Sequence, residues 1–267
     1  MRTVRYELMR PEEVLARKAE KSVVYLPIGP VEWHGLALPF GTDPLMAQAI
    51  ARQAARVGGG VVMPTLFLGT ERERSPEDLH NMGFEDTDQY VVGMDFPGLA
   101  VKSMYAREEV FSLVVREQLR MMVALGYKLI VLVNGHGATN QGAVLERLAR
   151  EFTGETQSTV MAIFPFSPED LDNPAMGGHA TLGETAGQLY LHPDSVDLTR
   201  LPPKGQPLEM KAHGMADGEA FAGRPNADFT VQYGDPREAT AAQGEALFNR
   251  AVAYLVAQVD EKYRGIE

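Results

Sequence analysis

The chain has 267 residues, 45% of them hydrophobic, a formal charge of −11 and no cysteine. That length suits one large domain or two small ones with a sizeable core, and the acidic balance argues against a nucleic-acid surface. Without cysteine there are no disulfides and no thiolate zinc sites, so any metal must be held by histidine and carboxylate.

No apolar run reaches the ~18 residues of a membrane span. The N-terminal Met-Arg-Thr-Val-Arg-Tyr-Glu7 has no apolar signal region, so a cytoplasmic protein is expected.

Pro11 to Lys21 reads as a short helix, with Val14, Leu15 and Ala19 apolar. Val23 to Ile28 is a short apolar run, read as a buried strand. The loop after it carries Glu32 and His34, and then Asp43 before Pro44. Residues two apart on an extended chain leave on the same side, and α/β proteins place their chemistry at the carboxyl ends of strands. Each residue also has a plainer reading. Asp43-Pro44 fits an N-cap followed by the first helical residue, Glu32 fits a solvated loop carboxylate, and His34 a hydrogen-bonded core histidine.

Pro44 to Val57 reads as a helix with Leu45, Met46, Ala49 and Ile50 apolar, stopped by Gly58-Gly59-Gly60. Val61 to Leu68 is the next strand. From Gly69 to about Lys102 the periodicity breaks down. Excursions of this length in compact domains are usually functional, so this one is expected to cover a site or contact a neighbouring subunit. Arg107 to Leu125 is helical in spacing and ends at Gly126. Lys128 to Val133 is a run of aliphatics suited to the centre of a parallel sheet.

That strand leads directly into Asn134-Gly-His136-Gly-Ala-Thr-Asn140. A histidine between glycines at this edge points to function, because glycine lets backbone approach a ligand closely. The competing reading is a tight turn capped by asparagine. Gln141 to Phe152 is a helix, Thr159 to Phe164 a strand, and Thr181 to Leu191 a helix stopped by His192-Pro193. Residues 200–236 are irregular, and Glu238 to Tyr263 is a long closing helix. Alternating strands and helices predict a parallel sheet with helices on both faces.

His179 and Glu184 bracket the start of the helix at Thr181. They are more than one helical turn apart and need not share a face. Glu184 also fits a first-turn carboxylate facing the helix dipole. His80, His192 and His213 are left outside the site. Glu32, His34, Asp43, His136 and Glu184 together supply two imidazoles and three carboxylates. Such a set suits two divalent ions with one carboxylate bridging, and Zn²⁺, Mn²⁺ or Fe²⁺ rather than Mg²⁺ or Ca²⁺. Two-metal sites of this kind do hydrolase chemistry.

These residues carry a resemblance to the creatininase (creatinine amidohydrolase) family. Leu26-Pro-Ile-Gly-Pro-Val-Glu32-Trp-His34-Gly-Leu-Ala37-Leu-Pro39, then Asp43, resembles its motif L-P-x-G-x-x-E-x-H-G-x-H-L-P-x-x-x-D. Asn134-Gly-His136-Gly resembles its N-G-H-G, and His179-Ala180 with Glu184-Thr185 its H-A-x-x-x-E-T. Gly234-Asp-Pro236 with Ala239-Thr240 and Gly244 resembles its G-D-P-x-x-A-T-x-x-x-G. The resemblance implies an α/β three-layer αβα sandwich with a mainly parallel sheet. It would be a single domain over 1–267 with an irregular excursion near 69–102. It also implies two divalent metal ions (Zn, Mn or Fe) and a homo-oligomer, a hexamer or other dimer-based assembly.

In that family pattern Glu32 and His136 help hold one metal, His34 and Glu184 the other, and Asp43 bridges them. Creatininase itself has a ligand Glu two residues after the His of N-G-H, where this chain has Ala138, and Glu184 is the natural replacement. Ala37 stands where the family commonly has His, which is expected to open space beside the metals and to change the substrate class. His179 is then the nearest candidate for handling a proton, its competing role being to cap the helix near Thr181 or to satisfy loop carbonyls. Trp33 either lines the pocket or simply packs. The expected activity is a hydrolase using metal-activated water on a small cyclic amide or formamide. The alternatives are C–C hydrolysis of a cyclic polyol diketone such as 3-dehydro-scyllo-inosose, and a non-catalytic metal-binding subunit.

Overall fold

A computed structural model of the chain describes residues 3–85, 91–173, 176–209 and 233–266. After a short helix α1 (Pro11–Glu20) comes β1 (Val23–Gly29), buried along its whole length. It leads to α2 (Thr42–Gly58) and to two short strands, β2 (Val61–Val62) and β3 (Leu66–Phe67). A brief helix α3 (Pro76–Asn81) precedes α4 (Glu108–Ala124), β4 (Leu129–Asn134) and α5 (Thr139–Glu155). Then follow β5 (Thr159–Ile163), α6 (Pro168–Leu171), α7 (Leu182–Leu191) and α8 (Ala241–Arg264).

The sheet is parallel, in the order β2-β1-β4-β5, with β3 also paired to β1. The single strand expected over Val61 to Leu68 is therefore two. Val24 pairs with Val61, an offset of 61 − 24 = 37, whereas Ile28 pairs with Leu66, an offset of 66 − 28 = 38. One extra residue lies between the two pairings, in the stretch that holds Pro64. Proline has no N–H for the ladder, so it marks an edge or a bulge.

Alternation along the central strands builds the layers. Val23, Tyr25, Leu129, Val131 and Val133 share one core with Ile50, Ala51 and Ala54 of α2 and Leu255 and Val259 of α8. Val24, Leu26, Ile28, Ile130 and Leu132 share the other with Phe111, Val115 and Leu119 of α4 and Val144 and Leu148 of α5. Each large aliphatic buried this way contributes roughly 1.5–3 kcal/mol. Because both faces of β1 and β4 are covered, their sequences read as unbroken apolar runs.

The excursion after Gly69 is less irregular than its sequence. Leu79, Met82, Phe84, Val92 and Phe96 form a small core of their own around Trp33. It therefore packs onto the loop that follows β1. The C-terminal helix starts at Ala241 rather than Glu238. Thr240 caps it, its hydroxyl accepting from Gln243 N and the Gln243 side chain accepting from Thr240 N. That reciprocal box is a strong local start signal. Residues 210–232, which include His213, lie outside the described residues. Among those described, no helix is long and apolar enough to cross a membrane.

Candidate metal centre

β1 and β4 lie side by side, so the loops after Gly29 and Asn134 leave the same edge of the sheet. α2 begins between them. Its N-cap is Gly41, two residues before the Asp43 that sequence offered for that role. Leu45 N reaches Gly41 O at 3.0 Å, and the Thr42 hydroxyl donates to Pro39 O at 2.7 Å. Asp43 thus falls inside the first turn, and both its carboxylate oxygens face histidines instead. Oδ1 is 3.1 Å from His34 Nε2, and Oδ2 is 2.9 Å from His136 Nδ1. A Cβ at position 135 would sit 2.4 Å from the Asp43 carbonyl oxygen. Only glycine lets the end of β4 come this close to α2. A Cβ at position 137, the second glycine flanking His136, would meet nothing within 4 Å beyond its chain neighbours.

Two groups of donors share Asp43. Glu32, Asp43 and His136 offer ligand atoms within 4.8 Å of one another, and so do His34, Asp43 and Glu184. In the first, Glu32 Oε2 is 3.1 Å from His136 Nδ1. In the second, Glu184 Oε1 is 3.8 Å from His34 Nε2. Glu184 sits in the first turn of α7, and its other oxygen accepts from Ala180 N. Ala180 has φ +53°, a left-handed conformation that non-glycine residues seldom adopt. Such residues cluster at functional sites; here the turn aims a backbone N–H at the carboxylate. The fold therefore draws Glu32, His34, Asp43, His136 and Glu184 to one point. Glu32, His34, Asp43 and His136 are all buried.

His179 lies beside this cluster, its ring centroid 4.3 Å from that of His34. Its Nε2 is 2.6 Å from the Trp33 carbonyl oxygen, which only accepts, so Nε2 carries the proton. It does not cap α7. With Glu32 and His34 it forms a third group of donors within 4.8 Å. His80 and His192 are exposed.

The electrostatics call for positive charge. His34 Nδ1 is 3.0 Å from the Glu32 carbonyl oxygen and so carries its proton there. Its Nε2 then faces two carboxylates. A lone pair in that position is repelled unless a proton or a cation stands between. Without a cation the protons stay. Burial alone would lower His34, but Asp43 and Glu184 outweigh it and raise the group to about 10. His136 is likewise raised, burial being overcome by Glu32 and Asp43. Asp43 is driven far down against burial by His34 and His136. Burial pushes Glu184 up to about 7. Burial and then the charge on His34 push His179 down to about 3, so it is neutral. This donor set, of imidazole nitrogens facing a shared carboxylate, fits a pair of divalent cations.

The cluster opens into a cavity of about 350 Å³. Its wall includes Met46, Met94, Phe164, Phe166 and Leu247, and it also holds Glu71 and Arg72. Of the two readings of Trp33 the packing one holds, and the expectation for Ala37 fails. Trp33 packs edge-on to Phe40 and Phe96 and does not line the cavity. Ala37 opens no space beside the cluster, because Leu198, Leu201 and Leu208 fill in around it. Residues that sequence reading passed over also reach the site. Glu71 Oε2 is 3.7 Å from His136 Nε2, a buried nitrogen with no hydrogen-bond partner. Its place just past β3 was a usable signal, the same strand-end rule that singled out His136. Asn134 Oδ1 accepts from His136 N at 3.1 Å and from Gln141 Nε2 at 2.7 Å, which holds the histidine loop.

Comparison with known proteins gives the family and the fold. A family model described as creatininase, creatinine amidohydrolase, matches residues 7–259. A crystal structure of creatinine amidohydrolase (creatininase) is 20% identical, covering 98% of this chain and 99% of that one, with a TM-score of 0.67. A structure titled as the Mn form of creatininase is 21% identical at a TM-score of 0.67, with the same 98% and 99% coverage. A mutant creatininase of Zn-Zn type is 20% identical at 0.69, again over 98% and 99%. No curated protein matches by sequence.

Proposed function

Because the chain belongs to the creatininase family, we propose that it is a two-metal hydrolase opening a small cyclic amide or formamide. The observation that carries this is Asp43, whose two oxygens each face a different histidine–carboxylate group. Glu32 and His136 would hold one ion, His34 and Glu184 the other, with Asp43 between. Divalent ions at such a site lower the pKa of water and polarise a carbonyl oxygen. The manganese and zinc of the named relatives suit these nitrogen and oxygen donors.

The chain's own residues do the rest. The apolar wall of Met46, Met94, Phe164 and Phe166 would exclude water around a small ring. His179 keeps one nitrogen proton on Trp33 O and so has Nδ1 as its lone-pair nitrogen. A ring held at about 3 stores no second proton, so its proposed part is to orient substrate and to pass a proton on transiently through Nδ1. His179→Ala is expected to lower turnover by roughly 10²–10⁴, the usual worth of a positioned acid–base group, with metal content unchanged. Metal loss would make His179 a ligand in place of Glu184. Unchanged turnover would remove it from the mechanism.

A second reading is C–C hydrolysis of a cyclic polyol diketone. Glu71 and Arg72 in the cavity wall favour it, since they offer an acceptor and donors that ring hydroxyls would use. The deciding experiment is a turnover screen of the metal-loaded protein against lactams, formamides and inosose-type diketones, with a chelated control. Full metal occupancy with no turnover on any of them would favour a non-catalytic metal-binding subunit.

Metal uptake should also depend on pH. The metal-free protein holds protons on His34 and His136, both raised above the ordinary histidine value. Ions must displace them, and part of the proton that Glu184 holds near 7, so binding at pH 7 should release about two to three protons and affinity should rise with pH. Calorimetry in buffers of different ionisation enthalpy measures this. Binding without proton release would contradict the histidine ligands.

A further inference from the structure

The segment after the excursion runs against the ligand loop. Val31 and Met104 form an antiparallel bridge, with Met104 N donating to Val31 O at 2.7 Å. On either side of that bridge lie two side-chain contacts. The Ser103 hydroxyl accepts from Trp33 N at 2.8 Å, and Ser103 is itself held by the buried carboxylate of Asp95. The Tyr105 hydroxyl donates to Glu32 Oε1 at 2.6 Å. The direction of that bond is set. Met94 N–H, which only donates, approaches the Tyr105 oxygen at 3.4 Å, and the carboxylate only accepts.

The geometry points to Tyr105 as a positioning residue of the metal centre: its hydroxyl occupies Glu32 Oε1, so that Oε2 alone is presented to the ion shared with His136 and Asp43. This rests on the two-metal reading above. Glu32 Oε2 is the oxygen 3.1 Å from His136 Nδ1. The Tyr105 ring also lies alongside that of His136, centroids 6.0 Å apart. Hydrogen bonds to ligating groups orient them, and their loss typically costs 10–100-fold in metal affinity.

The chain makes room for this contact. A Cβ at position 93 would lie 2.7 Å from the Tyr105 hydroxyl and 2.5 Å from Glu71 Cγ. Glycine there leaves space for the phenol tip between the excursion and the ligand loop. Residues 103–105 would thus act on the metal centre through Glu32 and its loop.

Tyr105→Phe keeps the ring and removes only the hydroxyl. Wild-type and variant proteins, stripped by chelation and checked for fold by circular dichroism, are titrated separately with Mn²⁺ and with Zn²⁺. One of the two ions is expected to bind about 10–100-fold more weakly in the variant and the other at wild-type affinity. Gly93→Ala, which crowds the hydroxyl without removing it, should weaken the same ion and serves if Tyr105→Phe does not fold. Wild-type affinity at both sites in the variant would overturn the inference. So would equal weakening of both ions, which would mean general loosening. A wild-type protein that binds no ion would instead sink the two-metal reading itself, and this inference with it.

Discussion

His136→Ala is expected to bind about one equivalent of metal instead of two and to lose activity, because it removes one short nitrogen–metal bond from a single ion. His136 Nδ1 faces Asp43 and Glu32, not His34. The ion of the His34–Glu184 group should therefore remain. His34→Ala should show the mirror image, losing the other ion and keeping the one near Glu32. Metal analysis after dialysis, with turnover on whichever substrate the screen finds, reads both variants. Two equivalents retained in either one would refute the division of the ligands. The fall in turnover should reach at least a thousandfold, about 4 kcal/mol of barrier, since the pair of ions would supply both the activated water and the polarised carbonyl.

Asp43→Asn should differ from both. Asp43 is not a cap, so the substitution acts through its charge alone. Its two oxygens serve two groups, so the affinity of both ions should fall together, again with turnover reduced by about a thousandfold or more. Without metal, the same change removes the main partner that holds protons on His34, and its raised value should return toward the ordinary one. Proton NMR of the imidazoles in the metal-free variant measures that shift. Loss of one ion only, or activity that survives, would show that Asp43 does not bridge.

Much was legible locally. The apolar runs Val23 to Ile28 and Lys128 to Val133 mark strands covered on both faces, because a parallel sheet in a three-layer fold has no solvent side to impose alternation. The glycine-flanked His136 and the Glu32–His34 pair follow those strands, and the strand-end rule was enough to single them out. Membership of the creatininase family was readable from the same motifs and their order along the chain.

What remained depended on contacts between distant parts of the chain. Asp43 and His136 are 136 − 43 = 93 residues apart, and only the close approach of β4 to α2 at Gly135 turns a plausible N-cap into a carboxylate between two histidines. Pro64 splits an edge strand whose hydropathy looks continuous, because the break lies in pairing with β1 and not in side-chain polarity. Ala37 and Trp33 stand beside the ligands in sequence yet point into separate apolar clusters. Tyr105 carries no periodic or motif signal of its own, and Glu71 only its place past a strand end. Their roles come from the fold bringing residues 71 and 105 against His136 and Glu32. Local sequence determines which segments become strands and helices and which residue types stand at the sheet edge. Tertiary packing alone decides which of them face one another, since a hydrogen bond across 73 residues leaves no trace in the spacing around either end.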